Sequence, residues 1–265
     1  MGNSEQKGPR GVNEANVVLV TILAASVELV SLKMRRVSKL SVAPMMDWTD
    51  PHFRHFMRLV SKRTLLYTEM HVVDALQHMD IGKVRRSLGS RERNMLHTAL
   101  QVGGSEPDIA GSALRRVWED GYHFQEVNIN CGCPSQKVSG AGLFGAVLMD
   151  DPERVSALAR SIHAATPSSG QTDDVHITVK CRIGVARPSE FEACNADDST
   201  TRHTSSAHER DGTAAMLQYF RGRGCAAFKQ QRETERFEKL CHFVRTVSET
   251  SPVNHFVVHA REAVR

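Results

Sequence analysis

The feature that most constrains this chain is a repeated alternation from Lys39 onward: short apolar runs separated by amphipathic segments that open on an acidic residue followed by proline. An acidic N-cap with proline in the first turn is a helix start. An apolar run of four to eight residues between such helices is a buried strand, so the repeat spells consecutive βα units around a parallel sheet. The expected strands are 40–46, 65–69, 98–102, 124–130, 176–183 and 255–259. Helices are expected from Asp50-Pro51 to about Lys62, from Ser105 and Pro107 to about Asp120, where Gly121 stops the turn, after Asp151-Pro152, and over 237–247.

Six strands in that order point to a (β/α)₈ barrel of which about six strands are present before Arg265. With two strands missing, strands one and six would keep unpaired edges, so the expectation is a C-terminally truncated barrel. Residues 1–38 read as a leader, targeting or disordered, and 39–265 as the partial barrel. The apolar stretch Val17–Val27 within the leader is too short for a membrane span and ends at Glu28. No stable membrane association is expected. The sequence leaves two expectations for the compartment, cytoplasmic or, if the leader is a targeting signal, organellar. Within the barrel, residues 186–232 are rich in Ser, Thr, Asp, His and Arg with little periodicity, and read as a low-complexity insertion.

With 40% hydrophobic residues, 265 positions suffice for a real core. The net charge of +4 suits a polyanionic partner without requiring one. Six scattered cysteines form neither a disulfide framework nor paired zinc knuckles, and reduced thiols with no metal site are expected. Nothing in the sequence speaks to oligomeric state.

In parallel barrels the reactive groups stand at the C-terminal ends of the strands. Here those positions carry Ala43-Pro44-Met45-Met46, Glu69-Met70, Gln101, then Asn128, Asn130 and Cys133, then Lys180 and Arg182, and finally His259 with Arg261. A flavin needs an amide for its pyrimidine edge, a cation near N1 and O2 and a close-fitting backbone, which Gln101, Lys180 and the Ala43–Met46 turn can supply.

The segments Ser41–Asp50 (SVAPMMDWTD), Leu65–Met70 (LLYTEM), Ala99–Ser105 (ALQVGGS), Glu126–Ser135 (EVNINCGCPS), Thr178–Gly184 (TVKCRIG) and Phe256–Arg261 (FVVHAR) closely resemble the tRNA-dihydrouridine synthases, within them the subfamily acting on tRNA positions 20 and 20a. The resemblance implies a TIM barrel that holds FMN, takes reducing equivalents from NADPH and adds hydrogen across the C5–C6 double bond of a uridine in the tRNA D-loop. By the same resemblance Cys133 is the catalytic acid that protonates C5. Pro44, Met45 and Met46 line the flavin, Gln101 and Lys180 bond its ring, and His259 contacts it. Asn130 holds the uracil, while Arg182, Arg261 and Lys137 are candidates for RNA phosphates. Cys131 is expected to be a packing thiol. The family's seventh and eighth strands carry its phosphate-binding loops, so an inactive fragment or RNA-binding remnant is the alternative.

Overall fold

The structure, a computed structural model, describes residues 40–91, 97–135, 143–167, 175–186 and 226–264, without the side chains of 226–232 and Val264. The expected leader, Lys137 and nearly all of the expected insertion lie outside the described residues. Everything described belongs to one unit, Ser38–Arg265.

Six parallel strands form one curled sheet in the order β1 (Ser41–Val42), β2 (Leu65–Val72), β3 (Thr98–Gly103), β4 (Glu126–Cys131), β5 (His176–Arg182), β7 (His255–His259). Sequential neighbours pair throughout, as in a (β/α)₈ barrel. A second, two-stranded pairing joins β6 (Val185–Ala186) to β8 (Ala263–Val264), just past the ends of β5 and β7.

The helices begin where their caps dictate. In α1 (Pro51–Val60) the Asp50 carboxylate accepts the Phe53 N–H at 2.7 Å, and in α5 (Pro152–Ala165) Asp151 accepts the Arg154 N–H at 3.0 Å. α4 (Pro107–Glu119) also starts on proline, but its cap is Glu106 rather than Ser105, with no side-chain bond. It stops at Gly121, whose φ of 80° places it in the left-handed region.

Several boundaries differ from those expected. The first strand is only two residues long, because Pro44 lacks an N–H and the following residues turn, with Trp48 and Thr49 N–H donating to the Met45 carbonyl. β2 runs three residues beyond Glu69 by taking up one extra residue between Tyr67 and Met70 against β3. Two short helices, α2 (Val73–His78) and α3 (Ile81–Leu88), fill the stretch between β2 and β3. A 3₁₀ helix, Gly145–Asp150, precedes α5. The last helix, α6, spans Ala226–Thr250 and so begins inside the tail of the segment read as an insertion.

The two faces of the sheet are chemically opposite. Leu100, Val102, Val127, Ile129, Cys131, Ile177, Val179 and Cys181 form one core with Ala110, Leu114 and Val117 of α4, Val155, Leu158 and Ile162 of α5, and Phe243 and Val247 of α6. Alternation along each strand then sends Gln101, Glu126, Asn128, Asn130, Thr178, Lys180 and Arg182 to the other face. Helices α4 and α5 approach closely at Gly111: a Cβ there would lie 2.5 Å from Ser161 Oγ and 3.2 Å from its carbonyl oxygen.

Candidate active site

Cys133 sits just past β4 with its backbone held on both sides. Its N–H donates to Asn130 Oδ1 at 2.9 Å, and its carbonyl accepts the Ala146 N–H of the 3₁₀ helix at 2.9 Å. The thiol is half-buried. Cys131, two residues earlier, points the other way. It is fully buried in the helix-side core beside Cys181, and burial first, then the neighbouring thiol, pushes its pKa well above the ordinary range. It is the packing thiol expected of it.

Beneath Cys133 runs a continuous ladder of buried polar side chains. Asn130 Nδ2 donates to Gln101 Oε1 (2.9 Å), and Gln101 Nε2 to Asn128 Oδ1 (2.8 Å). Asn128 Nδ2 then donates to Thr178 Oγ1 (2.8 Å), and Thr178 Oγ1 to Glu126 Oε1 (2.8 Å), which also accepts the Tyr67 hydroxyl at 3.0 Å. Gln101 is only 1% exposed. Its amide is turned into the ladder, with one N–H and one lone pair left on it for a ligand. Asn130 stands higher and is half-buried.

The first rim loop is built by a different device. The extra residue in β2 swings Glu69 so that its carboxylate accepts the Asp47 N–H at 2.6 Å. Asp47 has a φ of 64°, a left-handed conformation that short polar side chains tolerate. Buried Thr49 closes the loop on itself, its hydroxyl accepting the Met45 N–H and donating to the Met45 carbonyl, both at 3.0 Å. Behind it, buried Arg54 donates to the carbonyls of Thr49 (3.0 Å) and Leu88 (2.7 Å). The result is a loop that holds Met45 and Met46 out on the rim, Met46 at 55% exposure, with Pro44 half-buried beside them.

On the opposite side, Lys180 pairs in register with Asn130, and Arg182 with His259. The Lys180 ammonium is held below its ordinary pKa by burial and then by the Arg182 charge. Exposed His259 is pushed down by desolvation, then by Arg182, Lys180 and Arg261. These causes describe one crowded cationic corner, a place where an anionic ligand atom lowers the energy of every neighbour. Arg182, expected at an RNA phosphate, donates Nε to the Gly132 carbonyl at 2.6 Å and Nη1 to the Glu262 carbonyl at 3.1 Å. It therefore braces the Cys131–Cys133 turn, and its charge is within electrostatic reach of the Cys133 thiol.

The residues that frame the site without having been singled out are Tyr67, Glu126 and Thr178 in the ladder, and Thr49 and Arg54 behind the rim loop. The ladder had a signal: polar residues at every second position of otherwise apolar strands, Glu126-Asn128-Asn130 and Thr178-Lys180-Arg182.

A parallel βα barrel sheet with amides, a thiol and cations on the C-terminal rim belongs to the class of barrel enzymes that hold a cofactor or substrate at that end. Within that class, the family model for dihydrouridine synthases (Dus) matches residues 41–200, and the chain belongs to that family. Among curated relatives it is similar to the tRNA-dihydrouridine(20/20a) synthase of Vibrio parahaemolyticus, 42% identical over 154 residues covering 58% of this chain and 43% of that protein. The tRNA-dihydrouridine(20/20a) synthase of Xanthomonas axonopodis pv. citri is 45% identical over 147 residues, 56% of this chain and 40% of its own. That of Escherichia coli K12 is 32% identical over 225 residues, 85% of this chain and 48% of its own. The matched stretch spans less than half the length of these relatives.

Proposed function

We propose that the chain acts as an FMN-dependent tRNA-dihydrouridine synthase, reducing the C5–C6 double bond of a D-loop uridine with NADPH as the source of reducing equivalents. The observation that carries this reading is the single rim on which half-exposed Cys133, Asn130 and the Lys180–Arg182 corner stand together above a buried amide ladder. The relatives' printed activity, tRNA-dihydrouridine(20/20a) synthase, supports the choice of tRNA uridine as substrate.

The residues present fit a flavin. The Met45–Met46 loop offers an apolar edge on a rigidly tied backbone. Gln101 keeps one donor and one acceptor, and half-buried Lys180 is depressed in pKa by its surroundings, so that negative charge beside it would be welcome. His259 lies next to the same corner. When bound, FMN supplies the hydride that reaches C6 of the uracil.

The chain's own residues have the remaining work. Cys133 Sγ would deliver a proton to C5 of the uracil, the C5–H bond forming as S–H breaks, and the thiolate left behind would recover a proton from solvent. Asn130 positions the uracil through its remaining Nδ2 proton. Arg182 holds the turn that carries Cys133 by donating Nε to the Gly132 carbonyl. The target base must leave its stack to reach such a rim, as for other base-modifying enzymes.

The test uses the purified chain. It should carry or take up FMN with visible flavin absorbance, and convert uridine in tRNA to a product two hydrogens heavier. Cys133→Ala should retain the flavin while turnover falls about a hundredfold or more. A chain that takes up no FMN, or a Cys133→Ala variant with undiminished turnover, refutes the reading.

A further inference from the structure

The buried ladder has a direction, and both ends enforce it. The backbone N–H groups of Gly132 and Cys133 can only donate, so the Asn130 oxygen must face them, at 3.1 and 2.9 Å. That turns Asn130 Nδ2 onto Gln101, whose oxygen must accept, and Gln101 Nε2 onto the oxygen of Asn128. Asn128 Nδ2 then occupies a lone pair of Thr178 Oγ1, which sends its single proton on to Glu126. There Glu126 Oε1 accepts, as it does from the Tyr67 hydroxyl. With donor-only backbone groups at one end and this accepting oxygen at the other, reversing any one amide would set N–H against N–H and oxygen against oxygen. Along the buried stretch from Gln101 to Glu126 such a mismatch leaves polar groups unpaired away from solvent and is costly.

We propose that Thr178 and Glu126 are positioning residues that fix, from the far end of the ladder, the amide sense of Asn130 and with it the backbone of Cys133. The consequence at the surface is specific. Both lone pairs of Asn130 Oδ1 are taken by Gly132 and Cys133, and one Nδ2 proton is taken by Gln101, so Asn130 meets a ligand as a donor only. It selects a carbonyl oxygen, such as either one flanking the imide of uracil, and rejects an amino group at the same place. The identity of the ligand rests on the function proposed above; the sense of the ladder rests on its geometry alone.

The experiment is nitrogen-15 NMR of the full chain, following the side-chain amide of Asn130 and the backbone N–H of Cys133. The unaltered chain should give one slowly exchanging set for each. Thr178→Val keeps the shape and deletes the hydroxyl, and should shift or split both signals, whereas Thr178→Ser should restore them. A Thr178 that merely fills space would change the melting temperature without moving those signals, and that result overturns the proposal. If the valine variant does not fold, the unaltered chain still decides, because two interconverting sets for Asn130 would show that no sense is enforced. A chain that binds no FMN would remove the proposed function while leaving the NMR result to judge the ladder.

Discussion

His71 provides the most quantitative prediction. It lies on the helix-side face of β2, 8% exposed, its Nδ1 3.1 Å from Ser87 Oγ and its Nε2 without a hydrogen-bond partner. Burial, and then the nearby Arg54 charge, lower its pKa from 6.5 to about 4. A histidine with a depressed folded-state value stays neutral in the folded chain while the unfolded chain takes up a proton near pH 6.5. Stability is therefore untouched above that pH and is lost as the pH falls from about 6.5 toward 4. Between pH 7 and pH 5 the loss from this one residue is about 2 kcal/mol, approaching about 3 kcal/mol near pH 4, at roughly 1.4 kcal/mol per unit. The assay is urea unfolding from pH 7 to pH 5 for the chain and for His71→Gln, which can still bond Ser87 but does not titrate. The difference between the two stability curves should fall by about 2 kcal/mol over that interval, other titrating groups cancelling. Parallel curves, or a His71 ring that titrates above pH 6 by NMR, would refute the argument.

Two further outcomes follow from packing. Gly103 ends β3 where a Cβ would come within 2.6 Å of the Phe144 ring and 2.9 Å of Met70 Sδ, so Gly103→Ala should cost about 1–3 kcal/mol in denaturant unfolding, and Phe144→Leu in the same chain should recover part of it. Cys131 and Cys181 are buried with raised pKa values, the latter to about 11, so native-state alkylation read by mass spectrometry should leave both unmodified while half-exposed Cys133 reacts; rapid labelling of Cys131 would contradict the two-faced sheet.

Much of this was legible in the sequence because it depends on local chemistry. The caps at Asp50-Pro51 and Asp151-Pro152 and the strand 255–259 are set by a few adjacent residues, and the fold reproduces them. The rim positions of Cys133, Asn130, Lys180 and Arg182 follow from strand ends in a parallel barrel. What stayed hidden depends on partners far apart in the chain. The extra residue that extends β2 and aims Glu69 at Asp47, 22 residues away, is a property of the pairing with β3 and leaves no mark in periodicity. Nothing adjacent to Arg54 marks it for burial, because the Leu88 carbonyl that it bonds lies 34 residues on. Gln101 was legible as a rim amide, but not that both ends of its side chain would be tied to β4.

The opposed faces of the sheet carry a consequence for folding itself. A slip of β4 by one residue against its neighbours would carry Val127, Ile129 and Cys131 into the polar interior and drive Glu126, Asn128 and Asn130 against leucine, valine and isoleucine. Either displacement alone would be costly, and the slip imposes both at once. The side chains that prepare the rim for its ligand therefore also act as a proofreading code for strand alignment, penalising the misregistered sheet before any ligand arrives.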